Sequence, residues 1–152
     1  MPTTDIVATD RRVQYTGNGS TSAFAFSFQI NATTEIIVMV DGVTKTLTTH
    51  YTVSLSSSGA GTVTFTSGNI PASTSTITLM SNMALARTST YSTGGTLTAA
   101  SLESDFDNTI KYIQQTNERI DRSLQIPASD PTSLSVTLPS NADLKGKYLT
   151  FN

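Results

Sequence analysis

The sequence has 152 residues, no cysteine and a formal net charge of -2, and only 13% of its residues are charged. The absence of cysteine excludes a disulfide framework, a thiolate metal site and a cysteine nucleophile. The small net charge gives no general attraction to nucleic acid. No apolar run approaches the roughly 18 residues of a membrane span, and the amino terminus lacks the apolar segment of a secretory signal.

Four segments follow one another along the chain. Residues 1–10 predict an extended arm, because they carry few apolar side chains at any fixed spacing. Residues 11–98 predict an antiparallel β-sandwich of about seven short strands joined as a meander. Residues 99–126 predict an oligomerising helix, and residues 127–152 predict a linker with a short carboxy-terminal β segment. Ser and Thr fill roughly a third of the chain, which suits half-buried pleated surfaces and favours a mainly β fold class.

Two local patterns in the β domain are the clearest. Phe24, Phe26 and Phe28 alternate with small residues, which predicts a strand that buries an aromatic ladder on one face. Asp41-Gly42 follows an apolar run and predicts a tight hairpin turn. The aromatic ladder has two interpretations. It can pack in the core of the sandwich, or it can stack on sugar rings; the period of two favours the core.

The predicted helix begins after Thr98, a good N-cap residue, and carries apolar side chains at alternating steps of four and three residues. This stripe is narrow, which is typical of helices that associate with copies of themselves. A heptad register places Asn117 among the apolar positions, where a polar residue fixes the register at the expense of stability. The predicted oligomerisation residues, which we call the seam, are Phe106, Ile110, Ile113, Asn117, Ile120 and Leu124.

The seam also has an alternative interpretation, in which an amphipathic helix packs its apolar stripe against its own β domain. The physical pattern indicates self-association but does not give the number of copies. A helix of about 25 residues is marginal as an isolated coiled coil, so the neighbouring segments must contribute contacts.

No group of residues predicts catalysis, a metal site or a cofactor. His50 is the single histidine, and it lies in a predicted turn, where a surface or capping role is expected. Asp105 and Asp107 are two residues apart on the predicted helix and therefore point to different sides. We expect this protein not to be an enzyme.

Three arginines are candidate contacts to a partner. Arg11 and Arg12 begin the first predicted strand, and Arg87 lies in the loop before the helix. The alternative for all three is that they are solvated charges on edge strands, which discourage aggregation. For Arg87 we expect pairing with an acidic group on a neighbouring subunit or another protein.

An ordered series of segments resembles the amino-terminal, virion-attachment region of tail fibres and tailspikes from short-tailed, podovirus-type phages. The resemblance covers nearly the whole chain, from about Val13 to Ile126, and the final LPSNADLKGKYLTFN is similar to the segment that often follows the helix in such fibres. The segments are YTGNGSTSAFAFSFQI, VMVDGVTKTL, HYTVS, GTVTFTSGNIPASTSTITLM, LARTSTYSTGGTLTAASLESDFDNTIKYIQQ and ERIDRSLQIP.

This resemblance implies a homotrimer in the virion tail, with the helix as a trimeric coiled coil. The β domain would attach to the tail adaptor and nozzle (tail-tube) proteins and anchor the fibre used in host adsorption. Such fibres continue into a shaft and a receptor-binding tip that these 152 residues do not include. We therefore expect either that another fibre protein carries the tip or that the chain is a short adaptor fibre. The alternative function is a glycan-binding adhesin, whose β-domain loops recognise host polysaccharide.

Overall fold

The computed structural model describes residues 6–86, 90–91, 93–95, 97–123 and 125. Within these ranges the chain is mainly β, with seven strands in two antiparallel sheets and one long helix. The elements are β1 (Arg12–Thr16), β2 (Ala23–Phe26), β3 (Ile36–Val40), β4 (Val43–Thr44), β5 (Tyr51–Leu55), β6 (Gly61–Phe65), β7 (Thr76–Ser81) and α1 (Ala99–Ile120). The strands and the helix belong to one compact unit that ends at Asp121.

The strands do not form the predicted meander, and that prediction is wrong. The first sheet has the order β1-β7-β3-β4 and the second has the order β2-β6-β5, so β1 pairs with β7 instead of β2. The chain leaves the first sheet at the turn after β1. Gly17 N donates to the Ser75 carbonyl oxygen at 2.7 Å, and a Cβ at Gly17 would clash with the Ala72 carbonyl oxygen. Gly17 thus packs closely against the turn before β7, and the next strand of the chain, β2, belongs to the second sheet.

The aromatic ladder lies in the core, as its period of two predicts. Phe24, Phe26 and Phe28 are all buried, and the rings of Phe26 and Phe28 stack with their centroids 4.8 Å apart. Tyr15 of β1 contacts Phe24 of β2 at 5.4 Å between ring centroids, so side chains of both sheets meet in one cluster. Isoleucine, leucine and valine side chains of β3 and β7 complete this cluster: Ile36, Val38, Ile77 and Leu79.

The predicted hairpin at Asp41-Gly42 is confirmed. Asp41 and Gly42 have φ angles of 51° and 78°, as a two-residue turn with positive φ at both positions requires. Asp41 Oδ1 accepts a hydrogen bond from the Thr76 amide at 2.7 Å, which ties the hairpin to the start of β7. This bond and one from the Ser75 side chain hold the pKa of Asp41 below its ordinary value.

Helix α1 begins as predicted. Thr98 has extended backbone angles, and its Oγ1 accepts a hydrogen bond from the Ser101 amide at 3.1 Å, so it is the N-cap. The helix ends at Ile120, with Asp121 as its C-cap, whereas the sequence predicts a helical segment over residues 99–126. Its 22 residues correspond to about 33 Å of length.

Replacing Asp41 with Asn should weaken the dependence of stability on acid pH. The folded-state pKa of Asp41 lies below its unfolded value, so the carboxylate stabilises the fold above about pH 4, and this contribution is lost as the pH falls through the folded-state pKa. Asn keeps an oxygen acceptor and tolerates positive φ, but it does not titrate. Thermal unfolding from about pH 7 to about pH 2 should therefore show a smaller fall in Tm for Asp41→Asn. An equal fall in Tm for the unmodified protein and Asp41→Asn would contradict this expectation.

Candidate functional site

Helix α1 rests on the β domain through a polar face centred on Gln115, which is only 2% exposed. Gln115 Oε1 accepts from the Met83 amide at 2.7 Å and from the Ser81 hydroxyl at 2.8 Å. Its Nε2 donates to the Met83 carbonyl oxygen at 3.0 Å. The side-chain amide thus pairs with the backbone of Met83 in both directions. Buried groups that lose such partners cost about 1–3 kcal/mol each, so this contact holds the helix in place.

Lys111 lies one helical turn before Gln115 and is also buried. Its Nζ donates to Asn31 Oδ1 at 2.9 Å, and Asn31 Nδ2 donates to Asn108 Oδ1 at 2.9 Å. Burial lowers the pKa of Lys111, against the opposing effect of the Asp107 carboxylate. A second polar contact therefore joins the helix to the loop before β3.

Two more side chains complete this face of the helix. Tyr112 packs against the core cluster, and its hydroxyl donates to the Ala86 carbonyl oxygen at 3.1 Å. Arg119 Nη2 donates to Asn82 Oδ1 at 3.1 Å. The helix residues that make these contacts lie on one side of α1. We call them the anchoring face: Asn108, Lys111, Tyr112, Gln115 and Arg119.

Arg11 is a buried structural residue, and the prediction of a solvated edge-strand charge is wrong. It is 1% exposed, and its Nη2 donates to Ser81 Oγ at 3.0 Å and to Met83 Sδ at 3.1 Å. Its guanidinium carbon lies 5.6 Å from the centroid of the Phe28 ring. Burial lowers the pKa of Arg11 to about 10, although nearby Glu35 acts in the opposite direction. A side chain so enclosed offers no surface to an outside partner, which corrects that prediction too.

The other two arginine predictions have different outcomes. Arg12 begins β1 and is partly exposed, although its Nε is buried without a hydrogen-bond partner. Its role as a partner contact stays a prediction. Arg87 lies outside the described residues, and so does its predicted pairing with an acidic group.

The apolar seam points away from the β domain. Phe106, Ile110, Ile113 and Ile120 are exposed by 65%, 44%, 50% and 47% respectively. Asn117 is exposed beside them, whereas Leu124 lies outside the described residues. At about 100° of rotation per residue, the seam and the anchoring face lie on opposite sides of α1.

These positions bear on the alternative interpretation, in which the apolar stripe packs on the β domain. The helix does pack against its own β domain, but through the anchoring face instead of the apolar stripe. The alternative in which the stripe is covered by the β domain is therefore wrong. The helix thus contacts the β domain mostly through polar side chains, whereas Phe106, Ile110 and Ile113 are exposed, the reverse of an ordinary surface helix.

Other exposed apolar side chains lie close to the same helix. Leu85 is 63% exposed and, together with Phe106 and Tyr112, lines a groove of about 450 Å³. Val7 of the arm is also exposed, and its carbonyl oxygen accepts from Gln114 Nε2 at 3.1 Å. Apolar surface concentrated in one area of a protein marks an interaction site. The exposed apolar area thus extends beyond the seam to both of its flanks.

Sequence reasoning identified the seam but missed the anchoring face. A stripe of Asn, Lys, Gln and Arg at helical spacing usually indicates solvent, so Gln115 and Lys111 gave no distinctive signal. The position of this polar stripe, opposite the apolar seam, was the one feature of the sequence that could have indicated a contact with the β domain. His50 has the capping role that was expected of it, since its Nδ1 accepts from the Thr46 amide at 3.0 Å.

No protein-family model matches this sequence, and no curated protein matches it. Among the described residues, no three acidic or histidine side chains form a group that could hold a metal ion. In the same part of the chain, no helix is both long and apolar enough to cross a membrane.

Substituting Gln115 with Ala should destabilise the fold by about 2–3 kcal/mol, because the Met83 amide and carbonyl groups would lose their partners in a buried place. Gln114→Ala is the matched control, since Gln114 bonds only to the arm and is partly exposed. Its effect should be below about 1 kcal/mol. Chemical denaturation of the full chain at one fixed protein concentration measures both. Equal effects of the two substitutions would contradict the anchoring role.

Proposed function

We propose that this protein is a structural component of a phage virion, a tail fibre that self-associates through α1 and attaches to the tail. The observation that carries the proposal is the orientation of the helix. Its polar face is held on the β domain by Gln115 and Lys111, and its apolar seam is left outside. An apolar stripe that is held facing outward can pack against the same stripe of another copy.

The residue spacing of the seam supports a coiled-coil interface. Phe106, Ile113 and Ile120 occupy the d positions of a heptad, and Ile110 and Asn117 occupy a positions. We propose a homotrimer, the state that the resemblance to phage tail fibres implies. Asn117 would set the register, since a polar a residue disfavours arrangements in which it meets an apolar layer.

The β domain suits a permanent docking role in the tail. We propose that its two sheets close as a sandwich and that this unit binds the tail adaptor and nozzle proteins. The surface is rich in Ser and Thr and poor in charge, which is compatible with lasting contacts of moderate polarity. Three copies would present each contact three times, so modest individual affinities would add up to a firm attachment.

The alternative function, a glycan-binding adhesin, has less support. Its most natural sugar-stacking surface was the aromatic ladder, and Phe24, Phe26 and Phe28 are all buried in the core. The Tyr15 ring packs against Phe24, and its hydroxyl donates to the Ala25 carbonyl oxygen at 2.6 Å. The three phenylalanine rings therefore have no face free for a sugar.

A charge placed in the seam should abolish self-association without unfolding the protein. Ile113→Asp puts a carboxylate at the centre of the seam, whereas Ser104→Asp adds the same charge at an exposed position off the seam. Because the anchoring face holds α1 on its own domain, both variants should keep their helical circular dichroism. Sedimentation analysis should give a trimer for the unmodified chain and for Ser104→Asp, and a monomer for Ile113→Asp. A monomeric unmodified chain at every concentration would refute the proposal.

Removing the helix, by ending the chain at Thr98, would be a poorer test of the seam. The truncation would also expose Arg11, Ser81 and Met83, which the helix covers. A loss of association after truncation could then follow from unfolding alone. The point substitutions avoid this ambiguity.

The role in the virion has its own test. An antibody against this chain should label the tail of intact virions in electron micrographs, and the chain should not show saturable binding on a glycan array. Saturable affinity for a host polysaccharide, together with unlabelled tails, would favour the adhesin. Label on the capsid alone would contradict both functions.

A further inference from the structure

The two flanks of the seam differ in shape. On one flank the groove of about 450 Å³ opens between the loop carrying Leu85 and Ala86 and the helix side chains Phe106, Thr109 and Tyr112. Phe106 belongs to both the groove and the seam, so the two surfaces are continuous. The first flank of the seam is therefore concave and largely apolar.

The arm runs along the other flank. Gln114 Nε2 holds the Val7 carbonyl oxygen at 3.1 Å, and the Val7 side chain is 65% exposed. Ala8 and Thr9 continue along the helix beside Asn117. The second flank thus carries an exposed apolar side chain beside Gln114, in the carboxy-terminal half of the helix.

The seam by itself is too small for a stable interface. At about 200 Å² for a fully exposed large side chain, its four exposed apolar residues present on the order of 400 Å². A stable protein–protein interface buries about 800 Å² on each partner. Roughly half of the necessary surface must come from elsewhere. Among the described residues, the groove and the arm carry exposed apolar side chains on the two flanks of the seam.

We propose that the groove receives the arm of the next copy of this chain, with Val7 of one copy beside Leu85 and Phe106 of its neighbour. This inference rests on the proposed self-association and adds the contacts that surround the seam. The charges agree with this pairing, because residues 6–9 carry none. The charged residue in the groove, Asp105, already accepts a hydrogen bond from the Tyr91 hydroxyl at 2.8 Å.

This pairing joins opposite flanks of the helix, so it requires the helices of neighbouring copies to run parallel. An antiparallel pair would bring groove to groove and arm to arm, which leaves both grooves without an apolar occupant. A parallel assembly brings the groove of each copy to the arm of its neighbour, so that one residue of the pair contacts the other in every copy. The asymmetry of the flanks therefore favours a parallel assembly over an antiparallel pair.

Cysteine cross-linking tests the pairing directly, because the chain has no cysteine of its own. We would prepare Val7→Cys, Leu85→Cys and the double variant, and treat each with a short thiol-to-thiol cross-linker. The double variant should give covalent oligomers, including a closed species, under denaturing conditions. Each single variant should stay monomeric under denaturing conditions, because neither Val7 nor Leu85 lies beside the same residue of another copy.

A charge in the groove gives a second, independent measurement. Leu85→Asp should raise the dissociation constant of the assembly about tenfold or more, because the groove would lose an apolar contact and enclose a charge. Val43→Asp is the matched control, because Val43 is 60% exposed in the β3–β4 hairpin, and it should leave the constant unchanged.

The outcomes separate this inference from the proposed function. Oligomers that fail to cross-link in the double variant, or that cross-link equally in a single variant, overturn the pairing and leave self-association intact. Equal effects of Leu85→Asp and Val43→Asp overturn the pairing as well. A chain that is monomeric before any substitution overturns both the pairing and the proposed function.

Discussion

The arrangement of this protein depends on the pairing of one glutamine side chain with the backbone of one residue. Gln115 donates to and accepts from Met83, immediately after β7, and it also accepts from Ser81. These groups are buried, so breaking the pairing would leave several of them without partners, at a cost larger than the net gain from forming each bond. The directional bonds also set the rotation of α1 about its own axis. Nonpolar packing alone would not select one rotation so narrowly, because apolar contacts are not directional.

The fixed rotation explains why polar residues lie inside and apolar residues lie outside. Arg11 and Lys111 are both buried near Glu35, where burial lowers the pKa of each cation. Enclosing cations is expensive unless hydrogen bonds and opposite charges compensate for the lost water. Each cation donates a hydrogen bond and has Glu35 nearby, although Arg11 Nε and Nη1 are buried without a hydrogen-bond partner. The result is a helix whose apolar face is exposed. A buried apolar face would give a more stable monomer with no surface for assembly.

The β domain and the helix are held in different ways. The β domain is held by an ordinary apolar core, in which Tyr15 and Phe24 join the two sheets. The helix adds little to that core apart from Tyr112. It acts as a carrier that holds the seam and its two flanks in a defined position relative to the sheets. An assembly built on this carrier would transmit its symmetry to whatever the β domain binds, which is the property that a tail-attachment module needs.

The sequence by itself determined the parts of this structure that depend on local spacing. The aromatic ladder, the Asp41-Gly42 hairpin, the Thr98 N-cap and the helical stripe all arise from residues close together in the chain, so their periods and turn chemistry are readable directly. Sheet order, the burial of Arg11 and the anchoring role of Gln115 depend on residues tens of positions apart. A period of two predicts a strand but not its neighbour, and a polar stripe looks the same whether water or another element covers it. Only the tertiary structure decided which helix face was enclosed, because that choice rests on long-range hydrogen bonds that no local pattern encodes.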